Sequence, residues 1–137
     1  MAVSTSAYTS LQKNILCGNI DFVNDTIKAA VVTSSYSSST GHEYWSTVAA
    51  YEAVADDYVA GVLQNVDVVA GWNSMNVVCD RYTWPGPTYA TGRYIIIYKD
   101  TGDPATSPLI TVINLSQNMT IIGIDFGENG LYRLTTT

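Results

Sequence analysis

A length of 137 residues and a mass of 14.8 kDa suit one domain with a single hydrophobic core. Only 13% of the residues are charged, and twelve acidic against six scattered basic side chains give a formal net charge of −6, which argues against binding nucleic acid or an anionic membrane surface. No apolar run could span a membrane and no secretion signal is recognisable, so we expect synthesis in a cytoplasm.

The N-terminal part of the chain is weakly patterned. Within residues 1–19 only Leu11 and Ile15 show helical spacing, and the segment is short for a stable helix, so we predict an arm that reaches a neighbouring molecule. Residues 27–32 (Ile-Lys-Ala-Ala-Val-Val) predict a buried strand. The Ser-rich residues 33–41 predict a loop, because they offer little apolar surface to bury.

Residues 42–58 combine helical spacing with good helix formers. Trp45 and Val48 would share one side of a helix, so we predict a short helix or a helical turn in this segment. From residue 58 onward the hydrophobic period changes to two. That period predicts strands within residues 58–68 and 77–84.

The strongest strand signal lies in the second half of the chain. Residues 91–99 and 109–115 are rich in β-branched and aromatic side chains, and they flank a connection containing Asp, Thr, Gly and Pro. This pattern predicts two antiparallel strands joined by a loop. The isoleucine run 95–97 makes both faces of its strand apolar, which predicts a central position in the sheet, whereas Pro108 suits a strand start or an edge.

Further strands are predicted at residues 119–126 and 132–136, on either side of a turn at 127–130. Six to eight short strands separated by turn signals indicate one mainly β domain, residues 20–137. We predict an antiparallel β-sandwich or a Greek-key or jelly-roll-like barrel, with one short helix and the N-terminal arm. The aromatic side chains expected in its core and rim are Tyr82, Trp84, Tyr94 and Tyr98.

Motifs that could carry catalysis are incomplete. The Asp-Thr-Gly sequence at residues 100–102 matches the core of an aspartic protease half-site, but the following Asp103 would add a charge that disturbs a proton-sharing carboxylate pair. His42 and Glu43 match half of a zinc protease motif, but the chain has no second histidine. We therefore predict that the chain is not an enzyme and has no catalytic residue.

Candidate metal and redox residues are also few. The acidic pairs at residues 56–57 and 100/103 fall short of the ligand number and spacing of a calcium loop. Cys17 and Cys79 have no metal-binding or redox spacing, and we expect both to be free, buried thiols. The sequence thus predicts no metal site and no cofactor.

A family resemblance rests on several short strings spread over residues 20–134. Together they resemble a family of small virion proteins of tailed bacteriophages. The segments at residues 79–81 and 84–88 depart from the family pattern. The matching strings are residues 20–22 (Ile-Asp-Phe), 27–32, 34–36 (Ser-Ser-Tyr), 82–84 (Tyr-Thr-Trp), 90–94 (Ala-Thr-Gly-Arg-Tyr), 97–102 (Ile-Tyr-Lys-Asp-Thr-Gly) and 107–110 (Ser-Pro-Leu-Ile).

This resemblance implies a β-rich accessory subunit on the outside of the virion. In the first place it implies a capsid decoration, or cement, protein that binds the major capsid protein and forms a homo-oligomer, with a trimer suggested by the local three-fold positions of a shell. The alternative is a tail, neck or fibre component that recognises a host surface or glycan, with a sugar-binding face formed by Trp72, Trp84 and Tyr89. The candidate partner contacts are Tyr8, Leu11, Ile15, Tyr36, Trp45, Trp84 and Tyr89.

Overall fold

Ten short strands and one α-helix make up the part of the chain that the computed structural model describes, residues 4–70, 74–126 and 132–135. The helix, α1, spans Leu11–Leu16, and 3-10 turns occupy Trp45–Thr47, Ala49–Tyr51 and Pro104–Thr106. The strands are β1 (Ser4–Ala7), β2 (Ile27–Val32), β3 (Gly61–Val62), β4 (Asp67–Ala70), β5 (Ser74–Val78), β6 (Tyr82–Thr83), β7 (Thr91–Lys99), β8 (Leu109–Thr120), β9 (Gly123–Ile124) and β10 (Tyr132–Thr135).

The main sheet has five antiparallel strands in the order β1-β8-β7-β2-β3. Strand β7 lies at its centre, which confirms the prediction from the isoleucine run. Ile95 of β7 stands opposite Val31 of β2 on one side and Ile113 of β8 on the other. In the loop that joins β7 to β8, the Asp103 carboxylate caps a 3-10 turn by accepting a hydrogen bond from the Ala105 amide.

One side of the main sheet, here called the inner face, packs against a second layer. Ala29, Val31, Ile95 and Ile97 share one core with side chains of the two smaller sheets, β10-β5-β4 and β6-β9, and with Trp84. Period-two alternation places these residues on one side of their strands. The sheets are antiparallel and do not close into a barrel within the described residues, so the fold is mainly β and sandwich-like, as predicted.

The opposite side of the main sheet, here called the outer face, is covered by loops rather than by strands. A second core, here called the outer core, forms there because β7 and β2 also direct apolar side chains toward this side of the sheet. The strand residues of this core are Ala30, Val32, Tyr94, Ile96, Tyr98, Leu109 and Val112, and the covering residues are Tyr8, Tyr36, Trp45 and Val48.

The predicted N-terminal arm belongs to the domain from Ser4 onward. Strand β1 pairs with β8 along its whole length, and α1 follows directly, with the Leu11 side chain fully buried in the inner core. The physical reason is that the backbone groups of β8 on the side away from β7 can pair with a further strand. The local pattern of residues 1–19 does not reveal this pairing. The structure therefore corrects the prediction of an arm for the described residues of this segment.

Residues 42–58 contain two 3-10 turns, which confirms the helical-turn alternative of the prediction rather than a longer helix. Trp45 and Val48 do lie on one side, as the spacing indicated, and both are buried against the outer face. The chain then extends at Glu52, which forms a β-bridge with Val32. A longer helix would carry Glu52 away from this sheet edge, so tertiary pairing overrides local helix propensity.

Strand β8 is longer than predicted. It continues to Thr120, and residues 119–126 therefore supply its end and the short strand β9 rather than one separate strand. Ser116 interrupts the strand with a φ of 69°, in the left-handed region that only a minority of non-glycine residues adopt. The predicted turn at 127–130 lies outside the described residues.

Candidate functional site

Five of the seven predicted partner contacts are core residues. They are less than a tenth exposed, because each covers one face of the main sheet, and they present no free side chain to a partner. Ile15 and Tyr89 are only partly buried and pack on the rim of the inner core. The prediction of surface contacts is corrected for Tyr8, Leu11, Tyr36, Trp45 and Trp84.

The outer core is organised by aromatic rings. Trp45 stacks on Tyr98 with ring centroids 4.2 Å apart and planes within 3° of parallel, and Tyr36 meets Tyr94 edge to face at 5.5 Å. Such geometries add to the free energy of simple area burial. These contacts confirm Tyr94 and Tyr98 as core residues, and they fix the loops that carry Tyr36 and Trp45 on the sheet.

A chain of polar contacts runs through the same core. The hydroxyl groups of Tyr8 and Tyr36 lie 3.1 Å apart, and the Tyr36 hydroxyl is 2.8 Å from Nδ1 of His42. Burial, followed by the contact with Tyr36, raises the pKa of Tyr8, and burial raises that of Tyr36. Both phenols therefore stay protonated at neutral pH and link β1 to the loop above the outer face.

Trp84 cannot serve as a sugar-stacking surface in this structure. Its ring is buried in the inner core beside Tyr82, with centroids 4.9 Å apart, and its indole N–H donates to the Val59 carbonyl at 3.0 Å. Tyr89 is partly buried, and Trp72 lies outside the described residues. Because Trp84 is buried, it is not available for the predicted sugar-binding face of Trp72, Trp84 and Tyr89.

Beyond the end of β3, the edge of β2 is closed by a half-buried polar pair, Tyr58 and Glu52, that sequence reasoning missed. The Tyr58 hydroxyl accepts a hydrogen bond from the Val31 amide at 2.8 Å and donates to the Glu52 carboxylate at 2.6 Å. Burial raises the pKa of Glu52, while the bond from Tyr58 lowers it, and burial followed by Glu52 raises the pKa of Tyr58. The pair gives the Val31 amide of β2 a hydrogen-bond partner at the point where the chain between Ala53 and Gly61 runs away from the sheet.

The opposite edge, strand β1, adjoins a pocket of about 570 Å³ with a mixed lining in which aliphatic side chains predominate, here called the edge pocket. Thr5 of β1 lines the pocket and is exposed, as are the charged lining residues Arg81 and Asp125. The Thr111 hydroxyl is buried in the pocket wall and has no hydrogen-bond partner among the described residues. The apolar lining residues are Ile95, Ile113, Leu115, Met119, Ile121, Ile122, Ile124 and Phe126.

A smaller polar pocket of about 330 Å³ lies beside α1. Its lining includes Asn14 and Lys99, but the Lys99 ammonium is already engaged by the Asn19 carbonyl at 2.7 Å and by the Asp25 carboxylate at 3.0 Å. The described geometry therefore assigns Lys99 to holding the Asn19–Asp25 turn against the sheet.

The aspartate of the Asp-Thr-Gly motif is part of a turn. The Asp100 carboxylate lies 2.7 Å from Nζ of Lys28 and accepts a hydrogen bond from the Gly102 amide at 2.9 Å. The hydrogen bond from Lys28, followed by that from Gly102, lowers the pKa of Asp100. Gly102 has a φ of 90°, which favours glycine at this position of the turn.

The remaining candidate residues show no cluster within the described part of the chain. No group of three or more His, Cys, Asp or Glu side chains stands close enough to hold a metal ion there. Both cysteines are free, but Cys17 is exposed rather than buried as predicted, and burial raises the pKa of the half-buried Cys79 to about 11. None of the described helices is both long and apolar enough to cross a membrane.

Comparison of the chain with protein-family models, with curated proteins and with solved structures finds no match in any of the three. The functional assignment therefore depends on the sequence strings and on the surfaces described above.

Proposed function

We propose that this chain is a bacteriophage virion structural protein that decorates and stabilises the capsid by bridging major capsid subunits. The observation that carries the proposal is the resemblance of residues 20–134 to small virion proteins of tailed phages. The physical properties of the described domain support an adhesive role, and they are considered next.

The domain is a stiff support for surface contacts. The central strands β2 and β7 of its main sheet are buried on both faces, and the two described ion pairs, Lys28–Asp100 and Lys99–Asp25, neutralise two of the six basic residues of the chain. A rigid body loses little conformational entropy on binding, and a surface with few charges loses little desolvation free energy. Both properties favour lasting contact with another protein.

Exposed aliphatic side chains lie on separate elements around this support. Leu16, at the end of α1, is 87% exposed, and Val54, in the loop before β3, is 95% exposed. Val68 and Val69 of β4 and Met75 of β5 are exposed on the second layer. Contacts on different elements suit a subunit that touches more than one neighbour.

Bridging explains how modest contacts could stabilise a shell. Once one contact of a bridging subunit has formed, the second becomes intramolecular and benefits from a high effective concentration. Many copies acting together would then resist the separation of capsid subunits. Particles without the protein should consequently open at lower temperature or under milder osmotic shock.

Reconstitution with capsids tests the proposal. Purified protein is expected to bind expanded capsids in a fixed stoichiometry, and particles that lack it are expected to release their DNA at a lower temperature than complete particles. Electron microscopy of labelled virions gives the copy number, which is in the hundreds for a decoration protein and a few for a tail component. Unchanged capsid stability together with a label confined to the tail would overturn the proposal.

A further inference from the structure

The two edges of the main sheet differ in how their backbone is satisfied. At β3, the Tyr58 hydroxyl and the bridge at Glu52 occupy the edge of β2 where the short strand leaves it. At β1 no comparable cover exists within the described residues, and all four residues of the strand are exposed. The strand Ser4–Ala7 is short, but it has no charge, proline or bulge, which are three of the features that commonly protect a sheet edge.

The register identifies which backbone groups of β1 face outward. The Tyr8 amide donates to the Ile110 carbonyl, so the even-numbered residues of this segment direct their N–H and C=O groups toward β8. The N–H and C=O groups of Thr5 and Ala7 therefore point away from the sheet. Beyond them the row is closed, because the Thr9 amide donates to the Thr40 carbonyl.

Side chains of the inner face form a row that loses its cover at β1. Val31, Ile95, Ile113 and Thr5 stand opposite one another on four adjacent strands. Val31 is fully buried and Ile95 and Ile113 are at most 8% exposed, whereas Thr5 is exposed. The second layer thus covers β2, β7 and β8 but not β1, and the edge pocket lies where this cover ends.

We propose that β1 binds an extended segment of another protein, which adds to the main sheet as a further strand and places a large apolar side chain in the edge pocket. Thr5 and Ala7 would supply backbone hydrogen bonds, and alternate side chains of the added strand would point toward the inner face. The Thr111 hydroxyl in the pocket wall is buried and has no hydrogen-bond partner among the described residues, so the apolar side chain would contact the aliphatic lining rather than this group. This inference identifies β1 and the edge pocket as the surface through which the proposed decoration protein binds its partner. It rests on the proposed function for the identification of that partner as the major capsid protein.

A second copy of this chain is a poorer occupant of the same edge. Its own β1, Ser-Thr-Ser-Ala, carries no large apolar side chain to place against the aliphatic lining of the edge pocket. The aliphatic lining suits leucine, isoleucine, phenylalanine or methionine, and the pocket has room for more than one such side chain of an added strand. The negative net charge of the chain further favours a partner segment without acidic residues.

The first test uses a synthetic peptide as the probe. An acetylated, amidated seven-residue peptide in which leucine alternates with threonine between terminal lysines is titrated into the full chain, and amide signals are followed by NMR. We expect the Thr5 and Ala7 amides to become protected from hydrogen exchange. The matched peptide with serine in place of leucine should bind at least about tenfold more weakly, because it leaves the pocket unfilled.

Proline variants separate strand addition from other modes of binding. Ala7→Pro removes an outward N–H and keeps the pairing with β8, and we expect it to weaken leucine-peptide binding at least about tenfold. Val62→Pro is the matched control, because the Val62 amide also points outward, on the opposite edge. It should bind the peptide within about twofold of the wild type. If Ala7→Pro unfolds, Thr5→Tyr tests the pocket instead, since its ring would occupy the pocket mouth without removing an N–H.

The results distinguish this inference from the proposed function. Equal binding of the leucine and serine peptides, unprotected Thr5 and Ala7 amides, or wild-type affinity of a folded Ala7→Pro or Thr5→Tyr variant would overturn the inference. If the wild type and Ala7→Pro bind expanded capsids equally well, the decoration role stands and β1 is not the contact. If the wild type binds the leucine peptide but not capsids, strand addition stands and the partner is not the capsid.

Discussion

The two faces of the main sheet both bury apolar side chains, but they are covered by different kinds of structure. Both are buried along β7, where Ile96 points to the outer face and Ile97 to the inner face, and each side chain is fully buried. The inner face is covered mainly by aliphatic side chains of a second β layer, and the outer face by aromatic rings that are stacked or hydrogen-bonded. Loops can thus cover a sheet as completely as strands do, provided that rigid side chains hold them in place.

Ile96→Ala and Ile97→Ala form a matched pair that measures this difference. Both should destabilise the protein by about 2–5 kcal/mol, because each creates a cavity in a buried core. We expect the larger loss for Ile96→Ala, since fixed aromatic neighbours collapse into a cavity less readily than aliphatic ones. Urea unfolding gives both values, and Val54→Ala, at a 95% exposed position, should change the free energy of unfolding by less than about 0.5 kcal/mol. A larger loss for Ile97→Ala would contradict the idea that the outer core is the stiffer one.

Tyr58→Phe tests the link between the covers of the two faces. Tyr58 packs on the inner core, whereas Glu52 ends the 3-10 turns that cover the outer face. Removing the hydroxyl leaves the Val31 amide and the Glu52 carboxylate without this partner, which should cost about 1–3 kcal/mol. Thermal unfolding measures the loss. Tyr51→Phe, which changes a tyrosine that is 39% exposed, is the control and should have little effect.

Glu52→Gln should change how stability depends on pH. Because burial raises the pKa of Glu52 in the folded state, the folded protein binds this proton more tightly than the unfolded chain does. The free energy of unfolding therefore falls as the pH rises from about 4.3, the ordinary glutamate value, through the folded-state pKa. The Glu52→Gln variant lacks this contribution, so its stability should increase relative to the wild type across that range. Parallel curves for the two proteins between pH 4 and pH 7 would be inconsistent with a half-buried carboxyl whose pKa is raised.

Asp100→Asn should have the smallest effect and the opposite sign with pH. The pKa of Asp100 is lowered, so its ion pair with Lys28 stabilises the fold above about pH 4 and is lost as the pH falls through the folded-state pKa. Both side chains are about a quarter exposed, which limits the loss at pH 7 to about 1 kcal/mol or less. Unfolding at pH 7 and at pH 3 tests this, since the difference from the wild type should shrink at the lower pH. A difference that grows at low pH would show that Asp100 acts by some other contact.

Local sequence patterns predicted correctly the elements whose structure depends on residues that are close together in the chain. The isoleucine run of β7 contains its own evidence for burial on both faces, and the β7–β8 connection contains its own turn chemistry. Residues Ser4–Ala7 contain neither, because a strand of small polar side chains is defined by the edge it joins and not by its own periodicity. The candidate contacts failed for a related reason: Tyr36 and Trp45 are surrounded by polar residues in sequence, but in space they cover an apolar sheet.

By itself, the sequence determined a mainly β, antiparallel domain with a central apolar strand, since alternation and β-branched composition act over a few neighbouring residues. Only the tertiary structure decided which loops cover the outer face, how Tyr58 and Glu52 cover the edge of β2, and that β1 lies beside a pocket with no such cover among the described residues. Those features depend on residues far apart in the chain, such as Thr5 and Ile113, whose proximity arises only when the strands pair.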